Sequence, residues 1–336
     1  MDSNSPKLTI AQRRLVAVST MLATLIYTID STIANVALPH MQGSLQATQD
    51  QVLWVLTSYI VASALFTPAT GYVALRFGAR RVLLASVAGF TIASMLCGIA
   101  TSIPELVAFR ILQGIAGAAL VPISQSVILS SYSREEQGMA LAFWGMGVMI
   151  GPVLGPTLGG YLTETFNWRW VFFINLPVGA LALLGIAASV PAGGQGRAAR
   201  AFDFTGYLLL AGALGSLQLC IDRGSSHDWF ASPEIATEGL LAVVLTYMFM
   251  VHSMTAARPF FERSLFRDRN FVGGVVVFGL VFAVFIAAMA LLPTFLQQLQ
   301  GYPVIETGLL MAPRGVGMMV STFIAGRLMS SVDPRR

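Results

Sequence analysis

Long segments without a charged residue constrain this chain more than any other feature of its sequence. Eight of them recur along its length. They cover residues 52–75, 82–104, 111–133, 137–163, 170–196, 204–221, 239–257 and 270–305. A helix needs about 20 predominantly apolar residues to cross a bilayer. Each window is therefore suited to one membrane-spanning helix.

Two further windows are interrupted by charge, namely 15–36 by Asp30 and about 304–326 by Arg314, with Glu306 close to its start. The composition agrees with a membrane protein, since only 11% of the residues are charged, against about 25% in water-soluble domains. Unpaired backbone groups are prohibitive in hydrocarbon, and the windows are too long and too continuously apolar for porin strands. The sequence predicts an all-α, polytopic membrane helix bundle of about ten spans.

Lysine and arginine are distributed unevenly between the predicted loops. With the N-terminus in the cytoplasm, sixteen of the 20 basic residues lie on the cytoplasmic side, and only Arg169 and Arg223 lie on the opposite side. Such a bias sets the orientation of a membrane protein. We therefore expect a multi-pass protein of the bacterial inner membrane with both termini cytoplasmic. The positive charge indicates contact with anionic lipid headgroups rather than nucleic acid.

The residues that catalysis or metal binding would require do not form a pattern. The three histidines, His40, His227 and His252, lack metal-ligand spacing. The only lysine is Lys7, so no glycine-rich loop carries the lysine that binds phosphate. We expect no enzyme, no metal, no cofactor and no use of ATP.

Changes in composition divide the chain into three parts. Residues 1–190 hold six windows and predict an N-terminal six-span bundle. Residues 191–270 begin with a flexible basic linker rich in glycine and continue with two extra spans. Residues 271–336 hold two more windows, which we interpret as the first two spans of an incomplete C-terminal bundle.

Five short motifs follow one another along the chain. They are DSTIANVALP (Asp30 to Pro39), GYVALRFGARR (Gly71 to Arg81), RILQGIAG (Arg110 to Gly117), GVMIGPVLGPTLGG (Gly147 to Gly160) and NWRWVFFINLPVG (Asn167 to Gly179). Together they resemble the motifs of the major facilitator superfamily, in particular its EmrB/QacA-type 14-span drug:proton antiporters. The second motif differs from the superfamily pattern in one place, because Leu75 stands where that pattern has an aspartate.

The resemblance implies a major-facilitator fold that is truncated at its C-terminal side relative to the family. It also implies proton-driven export of small hydrophobic or cationic drugs across the lipid bilayer, with a periplasmic adaptor protein and an outer-membrane channel as partners. The third motif resembles the one associated with proton coupling, and the fourth resembles one found in exporters rather than in nutrient symporters.

Asp30 is the one carboxylate deep inside a predicted span. An ionisable side chain there costs at least about 2.5–3.5 kcal/mol on insertion scales, which marks a functional site. From the predicted span end near Val36, Asp30 lies about six residues deep, or roughly 9 Å. Arg110 lies at nearly the same depth in span four, so the two can pair. We predict that they couple proton movement to transport; the alternative is a static ion pair between spans one and four.

Spacing along two helices predicts which surfaces meet. Arg110, Gln113, Gly114 and Gly117 fall on one face of span four. We expect that face to look onto the substrate pathway, although both glycines also suit close packing. In span five a glycine every four residues forms a smooth stripe that admits a neighbouring helix, and two prolines permit bending.

Other residues are candidates for the substrate pathway or for conformational change. The pathway candidates are Asn35, Trp54, Tyr59, Gln113, Phe143, Met146 and Arg314. The conformational candidates are Gly71, Arg76, Gly78, Arg80, Arg81, Gly147, Gly151, Pro152, Gly155, Pro156, Gly159 and Gly160. Arg314 lies near mid-membrane, where it can balance a carboxylate, contact an anionic substrate or pair with a helix absent from this sequence. The aromatic residues from Trp168 to Phe173 are interpreted as an interfacial belt.

Three functions remain after these arguments. The first is proton-coupled multidrug efflux by alternating access. The second is a truncated membrane fragment that does not transport. The third is a symporter for another small molecule, which the motif in span five disfavours.

Overall fold

The computed structural model describes residues 9–191 and 202–302, with single positions between 306 and 324. These described residues form helices and no β-strand, so the all-α prediction is confirmed. The helices are α1 (Ile10–Ser44), α2 (Gln49–Phe66), α3 (Thr70–Phe77), α4 (Ala79–Ile99), α5 (Ile103–Gly117), α6 (Leu120–Ser131), α7 (Arg134–Thr165), α8 (Trp170–Phe173), α9 (Asn175–Ser189), α10 (Phe204–Gly224), α11 (Pro233–Thr255), α12 (Arg263–Arg267) and α13 (Arg269–Thr294).

Eight stretches of the described chain are long and apolar enough to cross a membrane. Helices α1, α4, α7, α10 and α11 each form one, whereas the second, fourth and sixth spans are built from two consecutive helices. Helix α13 occupies the ninth predicted window. The tenth predicted window falls on residues of which the structure describes only single positions. The chain is a multi-pass membrane protein.

Polar capping residues explain where several spans begin. Thr9 and Gln12 form a reciprocal capping box at the start of α1, and Thr48 and Gln51 form another at the start of α2. Such boxes satisfy backbone N–H groups that have no partner within the helix. Helix α1 also extends beyond the predicted window 15–36, since it continues through Pro39 to Ser44.

Helix α1 is the centre of the bundle. It packs most extensively on α7 and α9, and it also contacts α6 and α2. Its buried face carries several threonines and serines, whose hydroxyl groups donate back to the preceding turn, as Thr20 does to the Val16 carbonyl at 2.8 Å. Polar side chains are thus buried with their hydrogen bonds satisfied, as an apolar environment requires.

The glycine stripe of α7 lies against α1, as its spacing predicts. A Cβ atom added at Gly151 would lie 2.7 Å from Thr28 Cβ and 2.9 Å from the Ile29 nitrogen, and one at Gly159 would lie 2.9 Å from the Ile33 carbonyl oxygen. Real Cβ atoms do not approach so closely. Glycine is therefore required at these positions for the two helices to pack at this distance.

Helices α10 and α11 form a hairpin that docks on α2. Tyr207 Oη donates to the Leu65 carbonyl at 3.1 Å, and Thr57 on α2 hydrogen-bonds Asp222 near the end of α10. The side chains of α13, in contrast, are exposed from Phe271 through Val284. The two extra spans are attached to the first six, whereas α13 mainly contacts α12 and the turn that follows it.

Candidate functional site

Asp30 lies on α1 at the junction of two apolar clusters and is completely buried. One cluster contains Ile26 and Phe90, and the other contains Ile29 and Leu106. A carboxylate between two such clusters has no access to water and must be stabilised by protein groups. Every one of its described partners comes from another helix.

Arg110 supplies the counter-charge. Its Nη1 donates to Asp30 Oδ2 at 2.5 Å, and both side chains have zero exposed area. Its Nε donates to the Val55 carbonyl of α2 at 3.0 Å, which anchors the guanidinium to a third helix. The pairing expected from matched depth is therefore present, and it connects the first and fourth spans.

Three polar side chains complete the network. Gln113 Nε2 donates to Asp30 Oδ1 at 2.8 Å, and its Oε1 accepts from Arg110 at 2.8 Å. Asn175, the first residue of α9, also donates to Asp30 Oδ1, at 3.0 Å, and to Ser94 Oγ of α4 at 2.9 Å. Five spans therefore meet around one carboxylate, from α1, α2, α4, α5 and α9.

Asn175 and Ser94 were not among the residues predicted for the site. Asn175 stands in the fifth motif as the one amide among the apolar residues from Trp170 to Ser189. A lone amide in an apolar span is a usable signal, because burying it without a partner is costly. Ser94 carries no such signal, since serine hydroxyls commonly bond within their own helix.

Aromatic rings enclose the guanidinium group. Its Cζ lies 4.1 Å from the ring centre of Tyr59 and 5.7 Å from that of Phe172. The predicted interfacial belt is therefore wrong for Phe172 and for Trp168, both of which are buried in the bundle, although Trp170 is exposed. Cation–π contacts of this kind stabilise a desolvated cation by about 2 kcal/mol.

The face of span four that carries Arg110 is buried against neighbouring helices in this structure. Arg110, Gln113, Gly114 and Gly117 are all buried, so this face does not line an open cavity here, and its place on the substrate pathway stays a prediction. A Cβ atom at Gly114 would lie 2.5 Å from the Tyr59 carbonyl oxygen. Both glycines therefore serve the close packing that was the alternative interpretation.

The remaining pathway candidates lie in different surroundings. Trp54 lines a cleft of about 380 Å³ with Thr101 and Pro104, and a smaller cleft of about 120 Å³ with Asp222 and Arg223. None of the other pathway candidates lines either cleft. Asn35 and Phe143 are exposed, Met146 is half-buried and Tyr59 is buried against Arg110. Arg314 lies outside the described residues.

The second motif forms the turn between α3 and α4. Gly78 has a φ of 89°, a conformation that favours glycine. Arg80 Nη2 donates to the Ala187 carbonyl of α9 at 2.6 Å, whereas Gly71, Arg76 and Arg81 are exposed. Only Arg80 of the motif's arginines thus makes a described contact with another span, and the motif's role in conformational change stays a prediction.

The described residues offer no group of three or more His, Cys, Asp or Glu side chains placed to hold a metal. The site is instead a buried carboxylate, a guanidinium and two amides. A carboxylate can gain or lose a proton, and the two amides can exchange hydrogen bonds between helices.

Comparisons with known proteins place this site in context. Residues 20–336 match the sequence profile of the Major Facilitator Superfamily. The chain is 38% identical to the Multidrug export protein EmrB of Escherichia coli (strain K12) over 326 residues, which cover 97% of this chain and 64% of EmrB. It is 40% identical to the Fatty acid resistance protein FarB of Neisseria gonorrhoeae over 320 residues, or 95% of this chain and 63% of FarB. The chain thus spans less than two thirds of these curated relatives.

Solved structures share the fold. The proton:xylose symporter XylE aligns with a TM-score of 0.63 at 15% identity, covering 94% of this chain and 69% of XylE. The peptide transporter POT aligns with a TM-score of 0.60 at 14% identity, covering 87% and 63%. Structural likeness at such low identity concerns the fold alone. The predicted fold and family are confirmed, and this chain belongs to the Major Facilitator Superfamily.

Proposed function

We propose that this protein exports small hydrophobic or cationic drugs by alternating access, in exchange for protons. The observation that carries the proposal is the completely buried Asp30–Arg110 pair. A buried ion pair is weak evidence for stability, because desolvation offsets much of the attraction. Ionisable groups inside a membrane bundle mark ion pathways and proton relays instead.

The geometry supports a coupling step. Protonation neutralises Asp30 and leaves Arg110 without its counter-charge inside an apolar environment. Arg110 also has one nitrogen, Nη2, that is buried without a hydrogen-bond acceptor among the described residues. A free, desolvated guanidinium is unfavourable, so protonation favours a rearrangement of α5 relative to α1. The proton gradient is then the energy source, and no cofactor is needed.

Relatives support the substrate class. EmrB is named a multidrug export protein, and FarB is named a fatty acid resistance protein. The first name refers to the export of drugs, and the second refers to resistance to fatty acids. We extend this to small hydrophobic or cationic drugs as substrates, and to export as the direction.

The test of coupling is Asp30→Asn, since an amide keeps the shape of the side chain but cannot carry a proton. We expect this variant to reach the membrane at wild-type abundance and to lose proton-driven drug efflux in an efflux-deficient host. Asp50→Asn is the matched control, because Asp50 is an exposed carboxylate at the start of α2. Undiminished efflux by Asp30→Asn removes this residue from the mechanism.

Activity is proposed for a protein of the relatives' length. Residues 1–336 expressed alone should insert but confer no resistance, because alternating access needs two bundles that enclose a shared site. Drug accumulation and membrane abundance in the same cells measure both expectations. Efflux by residues 1–336 would show instead that two such chains assemble into a transporter. Drug uptake that follows the proton gradient inward would favour the symporter.

We also propose that the protein lies in the bacterial inner membrane with both termini in the cytoplasm. The distribution of basic residues supports this orientation. Reporter fusions after Arg197 and Arg336 should read cytoplasmic, and a fusion at Asp228 should read periplasmic. A periplasmic signal after Arg336 contradicts the count of ten spans.

A periplasmic adaptor protein and an outer-membrane channel are the proposed partners, which the resemblance to EmrB supports. Site-specific photo-crosslinking from the segment between α10 and α11, at Phe230, tests this association because Phe230 is exposed there. Crosslinks to a periplasmic protein support the assembly, and their absence in an otherwise active strain refutes it.

A further inference from the structure

Every described hydrogen-bond partner of Asp30 is a donor. Oδ2 accepts from Arg110, and Oδ1 accepts from Gln113 and Asn175. This arrangement suits an ionised carboxylate, which only accepts hydrogen bonds, whereas a protonated carboxyl group also has an O–H that needs an acceptor. One of the three neighbours must therefore offer an oxygen atom when Asp30 takes up a proton.

Two of the three neighbours are unsuited to this change. Arg110 has only donors. The amide of Gln113 is held in one orientation, because its Oε1 accepts from Arg110 at 2.8 Å and from the Cys97 thiol at 3.6 Å. Turning that amide by 180° would direct its NH₂ group against the guanidinium.

Asn175 is held differently. Both contacts of its amide are made through Nδ2, one to Asp30 and one to Ser94 Oγ, and no described hydrogen bond reaches its Oδ1. Ser94 in turn donates to the Phe172 carbonyl at 2.9 Å. A serine hydroxyl both donates and accepts, so it can follow a turn of the asparagine amide and donate to Oδ1 instead.

We propose that Asn175 is a positioning residue that responds to the protonation of Asp30. With Asp30 ionised, Asn175 donates to Oδ1 as observed. With Asp30 protonated, the Asn175 amide turns, and its Oδ1 accepts the new O–H. The inference rests on the proposed function, because only a proton-carrying Asp30 gives this turn a role.

The location of Asn175 gives the turn a mechanical consequence. Asn175 is the first residue of α9, directly after the interruption at Ile174 that separates it from α8. Through Ser94, its amide controls a hydrogen bond to the Phe172 carbonyl in α8. Protonation of Asp30 in the first span is thereby transmitted to the junction of the two helices that form the sixth span.

Among the described residues, three other titratable or charged groups face Asp30. They are Arg110 on α5, Tyr59 on α2 and Cys97 on α4, and each interacts electrostatically with the carboxylate. Helix α9 itself contains no titratable residue. A change of Asn175 to another uncharged residue therefore alters hydrogen bonding to Asp30 without adding or removing a charge.

The test is an infrared pH titration of residues 1–336 in lipid nanodiscs, with the protonated carboxyl C=O band of Asp30 identified by its loss in Asp30→Asn. We expect Asn175→Leu to move the midpoint of this band by about one pH unit to higher pH, since the ionised form loses a charge-assisted hydrogen bond. The band should also move to higher wavenumber, because the O–H loses its acceptor. Asn175→Asp should move the midpoint further in the same direction through like-charge repulsion.

Ser189→Ala is the matched control, because it removes a buried hydroxyl of α9 that bonds only within its own helix. The Asp30 carboxyl band of this variant should equal that of the wild type. If Asn175→Leu does not fold, Ser94→Ala keeps Asn175 and removes its anchor, and a smaller shift in the same direction is expected. An unchanged band in the Asn175 and Ser94 variants overturns the inference, and so does a wild type in which no Asp30 band titrates. A shifted band without proton-driven drug transport, measured separately on a protein of the relatives' length, refutes the proposed function and leaves the response of Asn175 to protonation in place.

Discussion

Arg110 and Arg223 each pair with a carboxylate, one at the centre of the six-span bundle and the other at the rim between α10 and α11. Arg110 and Asp30 have no exposed area, and two amides and two aromatic rings surround them. Arg223 contacts Glu234 at 2.5 Å and Glu238 at 3.3 Å; the Glu234 side chain is 51% exposed, whereas those of Arg223 and Glu238 are 18% and 14% exposed. The distances are similar, and the surroundings differ.

The difference teaches that burial, rather than contact distance, decides what an ion pair does. At the rim, water reaches the exposed Glu234 and part of Arg223 when their contact breaks, so less depends on that pair than on the central one. At the centre, removing one charge leaves the other unsolvated, so the state of one group controls the position of the other. Only the central pair can therefore convert protonation into helix movement.

The largest expected effect is that of Arg110→Met, which leaves Asp30 buried without a counter-charge. We expect a loss of about 3–5 kcal/mol in the free energy of unfolding, measured by denaturant titration in detergent micelles. The double variant Asp30→Leu with Arg110→Met should recover most of that loss, because no buried charge remains. Equal stability of wild type and Arg110→Met would contradict the comparison.

The second-largest effect is expected where α1 packs closely on α7, next to the buried Asp30–Arg110 pair. Gly151→Val should reduce the free energy of unfolding by about 1–3 kcal/mol through overpacking, since its side chain would meet Thr28 and Ile29. Gly145→Ala is the control on the same helix, because an added Cβ there has no atom within 4 Å. Similar losses in both variants would show that helix propensity, not the contact, is responsible.

The carboxylate of Asp203 is intermediate in exposure between the buried Asp30 and the exposed Glu234. Asp203, ahead of α10, contacts His252 Nε2 at 2.9 Å. Burial acts to raise the pKa of Asp203, but hydrogen bonds from the Gly206 N–H and His252 outweigh it, so the pKa lies below its ordinary value. This stabilisation is present above the ordinary pKa of about 3.9 and is lost as the pH falls through the lowered value.

Asp203→Asn tests this intermediate case. It should cost less than about 1 kcal/mol at neutral pH, since asparagine also caps a helix, and it should flatten the decline of the unfolding temperature below pH 4. The measurement is the unfolding temperature in detergent from pH 7 down to pH 3. An identical acid decline in the variant would show that Asp203 does not contribute to it.

The smallest effect is expected for Arg223→Gln at the rim. The loss should lie within about 0.5 kcal/mol, because Glu234 is solvated when its contact with Arg223 is broken and glutamine can still donate to Glu238. The denaturant titration used for Arg110→Met gives the direct comparison. A loss as large as that of Arg110→Met would end the distinction between centre and rim.

Much of the site was predictable because depth in the membrane is a one-dimensional property. Asp30 and Arg110 were placed at the same level by counting residues along their spans, and the structure joins them. Asn175 was overlooked because its approach to Asp30 depends on the rotation of α9 about its axis. The burial of Phe172 and Trp168 was missed for the same reason.

The sequence by itself determined the membrane-spanning segments and a predicted orientation, which follow from hydropathy and charge read along the chain, and its five motifs pointed to the family. Only the tertiary structure decided which side chains surround Asp30 and that the face of α5 carrying Arg110 is closed. The physical reason is that hydropathy places a residue at a depth but leaves its direction open. Direction is decided where helices come into contact, as α7 does with α1 through glycines that leave no room for a Cβ atom.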